Sequence, residues 1–228
     1  MIKTPYSQWS ISVALKFIGL FILSTIVLLI IDTWILPFEI FNIAFNLSGI
    51  LGCYFIFIHP FKYKISEIYN LNCILISPFL ILANITIVLA RIAVTNGFSD
   101  VNIIISSLTF ENIKEFILMS NSYLDAIVLA PIWEEFLFRG VFFVILLKRF
   151  NLPVAFIISG VIFSLLHITP DTLTNFINLL VGTVLLLTVK SLLYSYVFYR
   201  TKSLTIPTLM HITSNILASY IFFVYNKI

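Results

Sequence analysis

Six polar side chains in the second half of the chain stand inside apolar runs, and their types are those of acid–base chemistry. Glu134, Glu135 and Arg139 lie in APIWEEFLFRGVFFVILL, which runs from Ala130 to Leu147; His167 closes FSLLH; His211 and Asn215 bracket HITSN. On a helix, Glu135 and Arg139 are four residues apart in the favourable acid-before-base order, so they read as a structural ion pair. Glu134 points about 100° around from Glu135, with Phe138 rather than a cation four residues on. It is the carboxylate that its own helix does not satisfy. His211 and Asn215 share a helix face, as do Phe163 and His167.

A carboxylate beside an imidazole can draw a proton from water and make a nucleophile near neutral pH. A second imidazole and a carboxamide on one face can donate hydrogen bonds to a developing oxyanion. Glu134 and His167 are therefore candidates for activating water, and His211 and Asn215 for stabilising the oxyanion: the set that acyl transfer to water requires. Rival routes to peptide hydrolysis lack their motifs, since the chain has no GxSG, GxGD or HExxH. A lone histidine or asparagine in an apolar helix is as readily interhelical glue, worth about 0.6 kcal/mol. What separates these residues from that reading is their common depth.

The depth follows from the elements that must carry them. The chain is 61% hydrophobic and only 10% charged, far below the roughly 25% charge of soluble domains. An all-α polytopic membrane bundle is expected, with about seven spans at residues 15–36, 40–58, 72–94, 123–147, 153–168, 174–199 and 204–225. The run from Phe17 to Leu36 is long for the apolar region of a signal peptide, and no small-residue cleavage site follows it, so it is expected to stay as the first span. The amphipathic stretch in residues 95–122 is expected to lie at the interface.

Lysine and arginine set orientation. Lys3, Lys16, Lys62, Lys64, Lys148, Arg149, Arg200 and Lys202 fall on one side, whereas Lys114 and Lys227 are the loop bases of the other. The alternation holds through every expected crossing and puts the N-terminus in the cytoplasm and the C-terminus outside. From the cytoplasmic ends, Glu134 is 14 residues in from Lys148, His167 is 14 from Pro153, Asn215 is 13 from Lys202 and His211 is 9. At 1.5 Å per residue all four lie about 13–21 Å deep, on three different helices.

Other polar residues carry less. His59 precedes Pro60 at a span end and reads as interfacial. Cys53 and Cys73 form no CxxC and have no metal-ligand neighbours, so both read as reduced packing residues. Tyr54, Trp34, Tyr194, Tyr196 and Tyr199 read as interfacial aromatics. Lys190, near the middle of the sixth span, either snorkels toward the cytoplasm or marks an early end of that span. No basic tract with interleaved aromatics points to nucleic acid.

EEFLFR (Glu134 to Arg139) resembles the EExxxR motif of the CAAX prenyl endopeptidase and bacteriocin-processing family, the CPBP or Abi intramembrane glutamic endopeptidases. FSLLH (Phe163 to His167) is similar to its FxxxH motif, and HITSN (His211 to Asn215) to its HxxxN motif. The resemblance covers residues 123–220. It implies a helical membrane protease fold with Glu134 as catalytic base, His167 helping to activate water, and His211 with Asn215 as the oxyanion site. It also raises zinc: no metal is expected, but Glu134, His167 and His211 could bind Zn²⁺. Lys190 departs from the small residues that members often carry in that span. One domain over residues 1–228 is expected, with accessory spans in 1–95 and a four-helix catalytic core in 123–225.

The leading expectation is an integral protein of a bacterial plasma membrane that hydrolyses membrane-embedded or lipid-modified peptides. The partners expected are that peptide and the bilayer, with no nucleic acid. A non-catalytic bacteriocin-immunity or membrane scaffold protein using the same polar pocket is the alternative. A small transporter with a proton-linked Glu134 is a third, disfavoured because the chain shows no internal repeat.

Overall fold

The computed structural model describes residues 12–13, 15–16, 19, 38–55, 69, 77–95, 102–103, 105–119, 124–168, 176 and 178–227. The expected first span lies almost wholly outside them, as do Lys3, Trp34, His59, Lys62, Lys64 and Cys73. Among the described residues every element is helical. We number them α1 (Phe38–Cys53), α2 (Ser77–Thr95), α3 (Phe110–Met119), α4 (residues 125–149), α5 (Leu152–Leu165), α6 (residues 178–201) and α7 (Thr205–Lys227). Two helical stretches are long and apolar enough to cross a membrane, Leu179–Thr201 in α6 and Thr205–Tyr225 in α7; α1, α2 and α5 supply shorter apolar helices. The short helix expected between the third and fourth spans is present as α3.

The centre of the bundle is α4, an unbroken rod whose winding changes along its length. It is π-helical over Asp125–Leu129, α-helical over Ala130–Glu135, π-helical over Phe136–Phe143 and α-helical over Val144–Arg149. Wider π turns are uncommon and concentrate at functional positions. Here they have a local cause and consequence. The Ala130 N–H bonds back to the Asp125 carbonyl, and the next residue, Pro131, has no N–H to give. The Ala126 carbonyl is thereby freed for a partner on another helix.

Small residues let neighbouring helices approach closely, the usual packing currency of apolar helices. Gly160 of α5 faces Thr188 of α6, where an added Cβ would sit 3.1 Å from the Thr188 methyl. One turn on, the Thr188 hydroxyl donates to Ser164 Oγ at 3.0 Å. On the other side of α4, Gly49 of α1 lies flat against the Trp133 ring, and the Trp133 indole N–H donates to Asn46 Oδ1 at 2.8 Å. Cys53, one turn further, is buried and free against the same cluster.

A buried polar knot ties α2 to α6 and α7. Asn84 Nδ2 donates to the Met210 carbonyl at 2.7 Å and to Ser214 Oγ at 2.8 Å, and the Tyr194 hydroxyl donates to Asn84 Oδ1 at 2.8 Å. Tyr194 is thus fully enclosed rather than interfacial. At the far end, α3 is clasped to α7 by Lys227 with Glu115 at 2.5 Å and by Phe116 edge-on to Tyr220 at 5.3 Å. The α6–α7 turn passes through Lys202 in a left-handed conformation (φ 55°), its ammonium donating to the Tyr199 carbonyl.

A methyl at Gly49 would meet the Trp133 ring at 2.8 Å. Gly49→Ala is therefore expected to lower stability by about 1–3 kcal/mol, the usual cost of overpacking. Thermal unfolding of the detergent-solubilised protein measures it, and an unchanged midpoint would show that α1 does not pack on α4 this closely.

Candidate functional site

Glu135 and Arg139 are fully buried and paired, with Arg139 Nη1 donating to Glu135 Oε1 at 3.0 Å. The pair reaches beyond its own helix. Arg139 Nη2 donates to Ser191 Oγ of α6 at 2.8 Å. The guanidinium lies over the ring of Phe163 at 4.5 Å and that of Tyr194 at 5.2 Å, a stacked arrangement that suits arginine better than lysine. Glu135 Oε1 also accepts from His211 Nδ1 of α7 at 2.8 Å. Sequence reasoning paired Glu135 with Arg139 but missed His211 as a third member, because helical spacing describes one helix and says nothing about the next.

The tautomers of both site histidines follow from what their Nδ1 atoms face. A backbone carbonyl can only accept, so His167 Nδ1, 2.7 Å from the Phe163 carbonyl, carries a proton. A carboxylate already held by arginine also accepts, so His211 Nδ1 carries one too. In the neutral rings both Nε2 atoms are left with a lone pair. His211 Nε2 stands 3.8 Å from Glu134 Oε2, beyond direct hydrogen-bond reach. Among the described residues Glu134 Oε2 has no hydrogen-bond partner.

His167 is not within a membrane-length helix. α5 ends at Leu165, and His167 follows in the closing turn, its N–H bonded to the Ser164 carbonyl at 3.1 Å. The start of α5 is well marked: Asn151 caps it by accepting from the Val154 N–H at 3.1 Å, and Pro153 sits in the first turn. Phe163, fully buried, is wedged between the Arg139 guanidinium and the His167 ring, 4.4 Å centre to centre from the latter. Asn215 Nδ2 donates to the Ala126 carbonyl at 2.7 Å, the group that the π turn and Pro131 release. One amide proton is thereby committed, and the other, with Oδ1, is left for further partners.

Glu134, His167, His211 and Asn215 line one cavity of about 170 Å³. Its wall is completed by Ser214, by apolar residues of α2, α6 and α7, and by two cations, Arg91 and Lys190. Lys190 neither snorkels nor marks a helix end. It is 7% exposed, α6 continues past it to Thr201, and its ammonium lies 5.5 Å from the Tyr194 ring. Asn84 was also missed from the sequence; the signal available was an amide in the middle of an apolar run.

Glu134, His167 and His211 share the cavity, yet among the described residues no three His, Cys, Asp or Glu side chains converge closely enough to hold a metal ion. The zinc set raised by the sequence does not fit this arrangement.

Residues 118–217 match the family model described as Type II CAAX prenyl endopeptidase Rce1-like. The match contains Glu134, Glu135, Arg139, His167, His211 and Asn215. No curated protein matches the chain, and no solved structure does. The matched segment and the two apolar helices suggest a membrane protein.

A buried ion pair is costly to break by halves, because the survivor is left uncompensated. Glu135→Leu and Arg139→Met are each expected to destabilise by about 3–5 kcal/mol, and the double variant by less than the sum. Chemical unfolding of the three variants reads this out; strictly additive losses would mean that the two side chains do not depend on each other.

Proposed function

With residues 118–217 as an Rce1-like segment, we propose that the chain is an intramembrane endopeptidase. It hydrolyses peptide bonds of membrane-embedded or lipid-modified peptides with a water activated by Glu134. In this reading α1, α2 and α4 to α7, together with the expected first span, form a seven-span bundle in a bacterial plasma membrane, N-terminus inside and C-terminus outside. Residues 1–95 are the accessory spans and 123–225 the catalytic core. Large apolar side chains left outward, such as Phe79, Leu82, Leu185 and Phe222, suit acyl chains.

The observation that carries the proposal is the cavity itself. A carboxylate, two imidazoles and a carboxamide from α4, the turn after α5, and α7 line one cavity, and the carboxylate retains an unpartnered oxygen among the described residues. The 3.8 Å gap between Glu134 Oε2 and His211 Nε2 is the span that a single shared water bridges.

The chemistry then proceeds with protons accounted for. Water gives a proton to Glu134 as its oxygen bonds to the peptide carbonyl carbon. His167 Nε2, an acceptor in the neutral ring, holds that water in line. The carbonyl oxygen becomes an oxyanion and takes the free Asn215 amide proton as a hydrogen bond. His211, fixed at Nδ1 by the Glu135 carboxylate, lines the cavity one turn from Asn215 on the same helix face. When the C–N bond breaks, the proton held by Glu134 passes to the leaving nitrogen. Glu135 and Arg139 position these groups without touching substrate, and Phe163 keeps the His167 ring in place. No step requires a metal.

Cleavage of a membrane-peptide library by the purified protein, with and without chelator, tests the proposal. Glu134→Gln, His167→Ala and His211→Ala are each expected to lower turnover by about 10²–10⁴-fold, with unchanged membrane insertion and elution profile. Full activity of Glu134→Gln would remove the mechanism, and loss of activity with chelator would replace it by a metal-dependent one.

A further inference from the structure

We infer that Lys190 and Arg91 form a carboxylate-binding subsite inside the same cavity, so that the substrate is chosen by an acidic group as well as by its peptide bond. The subsite rests on the hydrolase reading for its purpose, but not for its geometry.

The charges facing the cavity do not balance. Lys190 of α6 and Arg91 of α2 are both in its wall, and Glu134 is the one acid there. Glu135 and Arg139, just behind, are committed to each other. Among the described residues Lys190 has no hydrogen-bond acceptor and no carboxylate within ion-pair distance; its ammonium meets only the Tyr194 ring, at 5.5 Å. An ammonium that is 7% exposed and feels Glu134 and Glu135 only beyond ion-pair distance is costly in an apolar bundle. Glu134 cannot answer for both cations, and in the proposed chemistry it becomes neutral on taking the proton from water. An anion arriving with the substrate would satisfy both when they need it most.

The surroundings select the class of anion. Ile87 and Val88 precede Arg91 by one turn on α2, and Leu186 and Leu187 precede Lys190 by one turn on α6; all four line the cavity. The wall is therefore apolar with two cations set into it. A small, singly charged carboxylate next to aliphatic side chains fits such a wall. With Glu134 ionised the wall carries one net positive charge, which a monovalent carboxylate balances and a phosphate dianion overshoots. The carboxylate can be a chain terminus or an Asp or Glu side chain, since both present the same group.

Equilibrium binding to the full-length protein in lipid nanodiscs, wild type and Glu134→Gln, separates these cases. The probe is a labelled short peptide of Leu, Ala and Phe in three forms: free α-carboxylate, C-terminal amide, and C-terminal amide with one internal Glu. At least one acidic form is expected to bind about tenfold more tightly than the plain amide, in line with a charge-assisted bond. Whichever form does so identifies the source of the carboxylate. Lys190→Met is expected to bring the acid-to-amide ratio near one, and Lys190→Arg to preserve it. Equal binding of all three peptides, no binding of either acid, or a preference that survives Lys190→Met overturns the subsite. The wild-type comparison decides even if Lys190→Met does not fold. Product formation by Glu134→Gln, followed in the same samples, reports separately on the hydrolase reading.

Discussion

A buried arginine on α4 with a glutamate one turn behind it holds the site together. Desolvating two charges is expensive, and their attraction repays it only when geometry is good and the remaining donors and acceptors are satisfied. Here other helices supply part of that satisfaction, while Glu135 Oε2 and Arg139 Nε have no hydrogen-bond partner among the described residues. Ser191 of α6 takes one guanidinium nitrogen, aromatic faces from α5 and α6 cover the plane, and His211 of α7 uses the same carboxylate oxygen as Arg139. Four helices are thus placed relative to one another by a single neutral assembly, in surroundings where apolar contact alone gives little orientation.

The consequence reaches the chemistry through tautomers. Because Glu135 occupies Nδ1 of His211 and the Phe163 carbonyl occupies Nδ1 of His167, both imidazoles turn Nε2 toward other partners. A structural ion pair and a backbone carbonyl therefore decide which ring atoms are available. The same economy governs Asn215. A proline one residue past a π turn frees the Ala126 carbonyl, and the amide that takes it up becomes fixed at the edge of the cavity. Strain and polarity that would be defects in an isolated helix become positioning devices in the bundle.

The cavity carries a charge imbalance that Glu134 alone does not offset. Under the proposed endopeptidase reading, a substrate taken up at depth must be desolvated, and charges kept there are costly unless they are used. Two cations against one acid make the chamber electropositive, which disfavours neutral occupants relative to acidic ones and strengthens any oxyanion formed within it. In the proposed reaction, selection of the substrate and stabilisation of the developing charge would draw on the same field.

Much of this was legible in the chain. Composition required a helical, lipid-compatible architecture, four-residue spacing paired Glu135 with Arg139 and left Glu134 over, and motif order grouped Glu134, His167, His211 and Asn215. Local signals also placed the start of the fifth span at 153, within the first turn of α5, and that of the seventh at 204, one residue before α7. Those features are settled by bonds and spacings within one helix, where neighbours in sequence are neighbours in space. Tertiary structure alone decided that His211 shares a carboxylate with Arg139, that Asn84 and Tyr194 form a buried knot rather than an interfacial girdle, that His167 lies just past a helix end, and that Lys190 faces the cavity. Each depends on how far one helix is rotated about its axis against the next. That angle is set by small residues, π turns and shared hydrogen bonds acting together across the bundle, and no single segment encodes it.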